Sequence, residues 1–200
     1  MTTPRDLLIV ALDEAPPSMG QGDLSLALAG AEAIDLLGTG SARLDGERIL
    51  PGAGPGTLDR LLAEAAASLE DPAEGETVED WLWRRGRGLS AAYLTALEQE
   101  GLVTRQHRRW APFRAGRTVL ADTAERRGAA ERWAAGEPVL AALAAALGMR
   151  TPAGEVAAPA GDTVTAVLAA VNDAVMELEA VRQRRAIEEA AFDNVWRGTG

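Results

Sequence analysis

The sequence predicts a mainly α-helical fold, a single domain with a helical core and small β-hairpins. Apolar residues recur at three- and four-residue steps, most clearly between Val164 and Val181, which is typical of buried helices. Gly- and Pro-rich segments separate such stretches, and Asp45-Gly46 stands between two short alternating arms, a strong hairpin signal. Two hundred residues with 47% hydrophobic content suffice for one core, so we expect one domain over residues 1–200.

The N-terminal part contains two apolar segments and the first hairpin. LLIVAL at 7–12 fits either a strand or a turn of buried helix, and the pattern alone leaves both open. We expect Asp23 to cap the next helix, LSLALAGAEAIDLL, which ends at Gly38. SARLDGERIL then reads as a small hairpin.

Capping residues place the helices in the middle of the chain. Thr57 is expected to cap TLDRLLAEAAASLE. Thr77 is expected to cap VEDWLWRRGRG, whose acids come first and whose arginines come last, as the helix dipole favours. A further helix follows and ends at Gly101.

A second hairpin and a capped helix come next. The segments LVTRQ and WAPF predict the two arms of the hairpin, with HRR in its turn. Asp122 followed by Glu125 resembles a capping box and predicts the start of a helix.

The C-terminal part is predicted to be helical with one loop. Pro138 begins VLAALAAALGM, which is apolar nearly all round and is therefore expected to be central. Residues 148–162 are rich in Ala, Gly and Pro and predict a loop. The periodic residues after it predict a long final helix with a break before Ile187.

Composition excludes several kinds of chemistry. There is no cysteine, and His107 is the one histidine, so zinc fingers, iron–sulfur clusters and Ser–His–Asp or Cys–His catalysis lack their residues. GTGS at 38–41 lacks the lysine of a phosphate loop. We therefore expect no catalytic centre, metal or cofactor. The clustered acids Asp13, Glu14 and Asp23 keep a small-molecule enzyme as a further alternative.

No segment has the length and hydropathy of a membrane span, and the N-terminus lacks the pattern of a signal peptide. The sequence therefore predicts a soluble, cytoplasmic protein, free or at a membrane surface.

Positive charge is concentrated in one region of an acidic chain. Residues 82–132 contain eleven arginines and five acids, a balance of +6, and the rest of the chain has a balance of −16. Within this region Trp110 and Phe113 stand among arginines, a pattern typical of surfaces that contact anionic lipid headgroups. The alternative is that these aromatic residues cover the inner face of the hairpin.

The order helix, helix, hairpin over residues 77–120 also has the outline of a winged helix, so a nucleic-acid-binding regulator is the second hypothesis. The hairpin arginines would suit phosphate contacts. The second helix does not suit a base reader, because its expected outward residues include two acids and no arginine or asparagine. Those residues are Ser90, Thr95, Glu98, Gln99 and Glu100. Nucleic acid is therefore the disfavoured partner.

Six segments in order resemble the Golgi phosphoprotein 3 family, which occurs in eukaryotes and as shorter homologues in bacteria. They are DLLIVALD, AIDLLGTGSARLDG, PGTLDRLLAEA, VEDWL, LTALEQEGLVTRQHRRWAPF and VLAALAAALGM. The resemblance covers most of the chain and implies a helical core with small hairpins and no established catalytic centre. It also implies a peripheral membrane or adaptor role, since eukaryotic members bind phosphatidylinositol 4-phosphate on Golgi membranes, and self-association or a protein partner.

The resemblance does not carry over the family's ligand residues. Matching the motifs places the lipid-binding positions at Gly20, Ala29, Ser90 and Ala92, none of which is the ligand type. Nearby arginines could supply the charge from other positions. The candidate lipid-binding residues are Arg84, Arg85, Arg87, Arg105, Arg108, Arg109, Trp110, Phe113, Arg114 and Arg117.

Overall fold

The computed structural model describes residues 2–16, 18–57, 59–69, 75–106, 117–154 and 157–197. The predicted mainly helical fold with small antiparallel strand pairs is confirmed. The helices are α1 Thr3–Glu14, α2 Gln21–Gly38, α3 Arg60–Ala67, α4 Val78–Arg85, α5 Leu89–Gln99, α6 Ala124–Ala134, α7 Pro138–Ala146 and α8 Asp162–Arg197. The strands are β1 Ala42–Asp45, β2 Arg48–Pro51, β3 Glu76–Thr77, β4 Val103–Gln106 and β5 Arg117–Leu120.

Helix α2 forms the centre of the core. It packs against α1 and α8 and also contacts α4, α5 and α7, so its residues from Asp23 to Ile34 are all buried. The open choice at LLIVAL is settled as helix, since these residues lie within α1. Helix α1 is buried on several sides and its apolar residues are therefore consecutive, which explains why LLIVAL also fits a strand in sequence.

Helix α8 is one uninterrupted helix, so the predicted break before Ile187 is wrong. It crosses α2 where Gly30 lies against the fully buried Val171, and a Cβ at Gly30 would overlap a methyl group of that valine. Its residues 183–189 are all exposed. In the described part of the predicted loop, residues 148–154 and 157–161 form no helix or strand, and Met149 is buried.

The first hairpin is confirmed with its turn one residue later than predicted. Strands β1 and β2 are antiparallel and pair Asp45 with Arg48, which leaves Gly46 and Glu47 as the turn. Gly46 has φ of +60°, a left-handed value that glycine adopts at little cost. Strand β3 adds to β2.

The second hairpin uses a different second arm from the one predicted. Strand β4 pairs with Arg117–Leu120, with Val103 opposite Leu120, where the prediction had WAPF as the second arm. The buried Val103 and Leu120 anchor this pairing in the core. Residues 107–116 connect the two strands and lie outside the described residues.

One predicted cap is confirmed and three are displaced. Thr77 accepts a hydrogen bond from the Asp80 amide at 3.0 Å and caps α4 as expected. Helix α3 is capped by Asp59 instead of Thr57, because the Thr57 hydroxyl accepts from the Asp59 amide before the helix begins. Helix α6 is capped by Thr123, since the carboxylate of Asp122 binds Arg127.

Helix α2 begins two residues before Asp23, which then lies in its first turn. The Asp23 carboxylate accepts a hydrogen bond from the Gly20 amide at 2.9 Å, so it still satisfies a backbone group at the start of the helix. Among the described residues, no helix is both long enough and apolar enough to cross a bilayer.

Candidate functional site

A pocket of about 300 Å³ lies where the first turn of α2, the turn between α4 and α5, and α8 meet. The wall from α2 consists of Gln21, Gly22, Ser25 and Leu26. The opposite wall consists of Trp83, Gly86, Arg87, Gly88, Ser90 and Ala91, and Leu178 of α8 closes one side. Both polar and apolar groups therefore line the space.

The sequence Gly86-Arg87-Gly88 shapes one wall of this pocket. A Cβ at Gly86 would lie 2.7 Å from the Leu82 carbonyl oxygen, so close packing of the chain requires glycine there. Gly88 has φ of +71°, in the left-handed region, and immediately precedes α5. The two glycines hold Arg87 on the surface between them, exposed at the edge of the pocket.

Two serine hydroxyls join the walls of the pocket. Ser25 donates from its hydroxyl to the Ser90 oxygen at 2.9 Å, and the Ser90 amide donates to the Ser25 oxygen at 3.1 Å. The Ser90 hydroxyl also reaches the carbonyl of Gln21 at 3.3 Å. The expectation that Ser90 faces outward is therefore wrong: only 9% of this residue is exposed, because it pairs with Ser25.

The electrostatic setting favours an anion at the α5 side of the pocket. The first turns of both α2 and α5 line it, so the positive ends of two helix dipoles lie beside it. Arg87 is exposed there and has no hydrogen-bond or ion-pair partner among the described residues. The nearby carboxylate of Asp23 is already paired with Arg182 at 2.8 Å.

Arg85, one of the predicted ligands, is used inside the protein. Its Nε and Nη2 atoms donate to the two oxygens of the fully buried Glu32 at 2.7 and 2.8 Å. The Tyr93 hydroxyl donates to the same carboxylate at 2.9 Å. Burial raises the pKa of both Glu32 and Tyr93 above their usual ranges. This network joins α2, α4 and α5, so Arg85 has a structural role in this arrangement.

Arg84 is also held by groups of the protein itself. It forms an ion pair with Glu76 and donates to the Ser68 carbonyl at 2.9 Å. Of the three arginines predicted before α5, Arg87 is thus the one that lines the pocket.

The four positions matched to the family's ligand residues are only partly together. Ser90 lines the pocket, and Gly20 directly precedes its Gln21 wall. Ala29 is fully buried in the core and Ala92 is half-buried. A side chain at Gly20 would overlap the guanidinium of Arg182, which occupies the space beside it.

Most of the predicted hairpin ligands lie outside the described residues. Arg105 is in β4 and Arg117 is in β5, with Arg117 opposite Gln106 in the register. The residues outside the described ranges are Arg108, Arg109, Trp110, Phe113 and Arg114, together with His107. Their contact with lipid stays a prediction.

The acids of the enzyme alternative have separate partners. Asp13 pairs with Arg126 at 3.0 Å, and Glu14 accepts a hydrogen bond from the Trp133 indole at 2.8 Å. Asp23 binds Arg182. Across the described ranges, no group of three or more acids or histidines is arranged to hold a metal ion.

Two features of the pocket were missed by the reasoning from sequence. Arg87 itself was predicted as a ligand, and the glycines on both sides of it are a visible sign that the chain turns there. The pairing of Arg182 with Asp23 has no such signal, since 159 residues separate them.

The family model for Golgi phosphoprotein 3 (GPP34) matches residues 4–190. The match covers nearly the whole chain, so the protein belongs to this family. No curated protein matches the sequence. The family is not known as an enzyme family.

Proposed function

We propose that this chain is a non-enzymatic peripheral membrane or adaptor protein that binds an anionic phospholipid headgroup in the pocket beside Arg87. The preferred headgroup is the phosphomonoester of a phosphoinositide, such as the phosphatidylinositol 4-phosphate bound by eukaryotic members of the family. The observation that carries this proposal is an exposed arginine without a protein partner, in the described ranges, at a pocket bordered by two helix N-terminal turns.

The chemistry of the pocket suits a phosphate group. A phosphomonoester carries nearly two negative charges at neutral pH and is held against water by guanidinium donors and by helix N-terminal amides. Arg87 supplies a guanidinium, and the hydroxyls of Ser25 and Ser90 lie in the same walls. Trp83 adds an aromatic surface against which the rest of a headgroup can pack.

The basic hairpin would provide the second membrane contact. Each arginine near an anionic surface adds about 1 kcal/mol to binding, and tryptophan settles at the headgroup level. The residues proposed for this contact are Arg105, Arg108, Arg109, Trp110, Phe113, Arg114 and Arg117. Arg84 and Arg85 are paired with Glu76 and Glu32, so they add no net charge and are not proposed as headgroup contacts.

The net charge makes specificity necessary. A protein of net charge −10 is repelled on average by a negative membrane, so a locally positive face and a specific headgroup site have to offset that repulsion. Vesicles that contain only phosphatidylserine as the anionic lipid should therefore bind much less protein than vesicles that contain phosphatidylinositol 4-phosphate.

Vesicle flotation tests the headgroup site. Arg87→Gln should weaken binding to vesicles containing phosphatidylinositol 4-phosphate by about tenfold, because a charge-assisted hydrogen bond is lost. Arg43→Gln is the matched control, since Arg43 is exposed on β1, away from the residues that line the pocket. Arg85→Gln is not a suitable probe, because leaving Glu32 buried and unpaired costs about 3 to 5 kcal/mol of stability.

Three results would contradict this proposal in different ways. Equal flotation with vesicles that lack phosphoinositide would contradict specific recognition of a phosphoinositide headgroup. Equal losses for Arg87→Gln and Arg43→Gln remove the pocket. Absence of binding to any vesicle removes the membrane role and leaves a protein partner, including a second copy of the chain, as the leading hypothesis.

Vesicle flotation and duplex-DNA binding together distinguish a hairpin that contacts lipid from a hairpin that binds nucleic acid. Trp110→Ala should reduce vesicle binding if the indole inserts, whereas Arg108→Ala/Arg109→Ala should reduce binding to both vesicles and duplex DNA if these arginines contact phosphates. Tight DNA binding with a steep salt dependence and no effect of Trp110→Ala would favour the nucleic-acid alternative. Glu98 on α5 and Glu100, which directly follows this helix, argue against that outcome.

A further inference from the structure

We propose that Arg182, on α8, is a second phosphate-binding arginine of the same pocket. This inference rests on the proposed function and adds a ligand from a part of the chain remote from the matched positions. It makes the C-terminal helix a component of the binding site as well as a part of the core.

Helix α8 reaches the pocket through Leu178, and Arg182 lies beside the pocket on the same face of the helix. Leu178 lines the pocket and packs against the first turn of α2, where a Cβ at Gly22 would lie 2.7 Å from its methyl carbon. Arg182 follows one helical turn later. Its guanidinium lies beside Gly20, next to the Gln21 wall of the pocket, in space that any side chain at position 20 would overlap.

The donors of this guanidinium are only partly used. Nη2 donates to both carboxylate oxygens of Asp23 at 2.8 Å and to Glu179 at 2.7 Å, and Nε donates to Glu179 at 3.1 Å. Nη1, the atom nearest Gly20, has no hydrogen-bond partner among the described residues. With 37% of the side chain exposed, the group remains open to solvent and to a ligand.

These contacts orient the arginine without using all of its hydrogen-bond donors. Glu179 accepts from both Nε and Nη2 and so holds one edge of the planar group even without the charge of Asp23, which leaves the remaining donors pointing in a fixed direction. An anion with nearly two charges requires more than one cation, and Arg87 on the α4–α5 turn supplies the other. Glycine at position 20 leaves the room that the Arg182 guanidinium occupies.

The test compares three variants with the parent protein against two probes. The first probe is a vesicle containing phosphatidylinositol 4-phosphate, and the second is the free, water-soluble inositol bisphosphate headgroup of that lipid. Comparing the two separates recognition of the phosphate from recognition of a membrane. Arg182→Gln should weaken binding of both probes by about tenfold. Arg184→Gln, which removes an exposed arginine from the same helix, should leave both unchanged.

Asp23→Asn distinguishes a ligand from a structural ion pair. Both Arg182→Gln and Asp23→Asn break the pair, but only the first removes the proposed phosphate donor. Asn can still accept the hydrogen bond from the Gly20 amide, and its neutral side chain removes a competing charge. We expect Asp23→Asn to bind both probes as tightly as the parent or about threefold more tightly.

Each outcome is decisive for one of the two proposals. Weaker binding by Asp23→Asn overturns the role of Arg182 even if Arg182→Gln fails to fold, because the arginine is still present. If Arg87→Gln loses binding while Arg182→Gln binds both probes as tightly as Arg184→Gln does, the proposed role of Arg182 is wrong but the proposed headgroup site at the pocket is supported. If the parent protein binds neither probe, both proposals fall.

Discussion

Arg85 and Arg87 are two positions apart and have opposite surroundings. Arg85 lies on the last turn of α4 and faces Glu32, whereas Arg87 lies between two glycines and faces solvent at the pocket. The sequence shows a cluster of arginines but not this division, because it depends on which face of α4 meets α2. A buried carboxylate such as Glu32 has to be paired, and that requirement determines the role of Arg85.

Asp6 is a buried carboxyl through which pH should affect stability. It is fully buried in α1, its Oδ2 atom accepts from Arg132, and its Oδ1 atom has no donor in the described part of the chain. Burial raises the pKa of this carboxyl above its usual value. This carboxyl therefore takes up a proton at a higher pH in the folded protein than in the unfolded chain, so its contribution to stability rises as the pH falls.

Comparison with Asp6→Asn isolates this effect. As the pH is lowered from 7 towards the ordinary aspartate value of about 3.9, the parent should gain stability relative to the Asn variant, which cannot be protonated there. Urea unfolding at several pH values measures the difference, and the other titrating groups are common to both proteins. A parent that loses stability relative to Asp6→Asn on acidification would show that the folded-state pKa is lowered.

The packing of α2 against α8 depends on small residues. Gly30 allows α8 to approach until Val171 is fully buried against it, and Gly22 allows a similarly close approach by the half-buried Leu178. Glycine within a helix usually lowers stability relative to alanine by about 1 kcal/mol, so its presence at Gly30 is explained by this contact.

The direction in which Gly30→Ala changes the stability of the protein tests the close contact between Gly30 and Val171. Gly30→Ala should destabilise the protein by about 1 to 3 kcal/mol because the new methyl group overlaps Val171. The double variant Gly30→Ala/Val171→Ala should cost less than the sum of the two single changes. Gly38→Ala is the control, since no atom lies within 4 Å of a Cβ there. Strict additivity in urea unfolding, or stabilisation by Gly30→Ala, would rule out the close contact.

The helices could largely be predicted from sequence, and their exact starts could not. The apolar periodicity predicts α2 and α8 because each contains many apolar residues at three- and four-residue steps. Caps depend on one hydrogen bond each, and neighbouring residues compete for it, as Thr57 and Asp59 do. The second arm of the β4–β5 hairpin was missed because WAPF and RTVL are both short apolar segments, and the choice depends on which of them reaches the core.

At the scale of the whole molecule, distant elements share one core. Helices α1 and α8 both pack on α2, and the cluster of buried apolar residues includes members of all the described helices. Family membership was accessible from sequence, since it rests on the order of several segments. The pocket was not, because its walls come from α2, α4, α5 and α8 and meet only in the folded chain.

This shared core predicts that the chain unfolds in one cooperative step, as expected for a single domain. Far-UV circular dichroism reports the helices, and tryptophan fluorescence reports the buried Trp81 and Trp133 in α4 and α6. The two signals should give coincident urea transitions. Transitions that separate would show that one group of helices is stable without the other.

The contact between α2 and α8 also has a consequence for synthesis on the ribosome. Asp23 and Arg182 are 159 residues apart, and translation at roughly 5–20 residues per second takes about 8 to 32 s to cover that distance. Throughout that interval the face of α2 that later covers Val171 has no partner. The nascent chain therefore exposes an apolar helix face, which is prone to aggregation until α8 emerges to cover it.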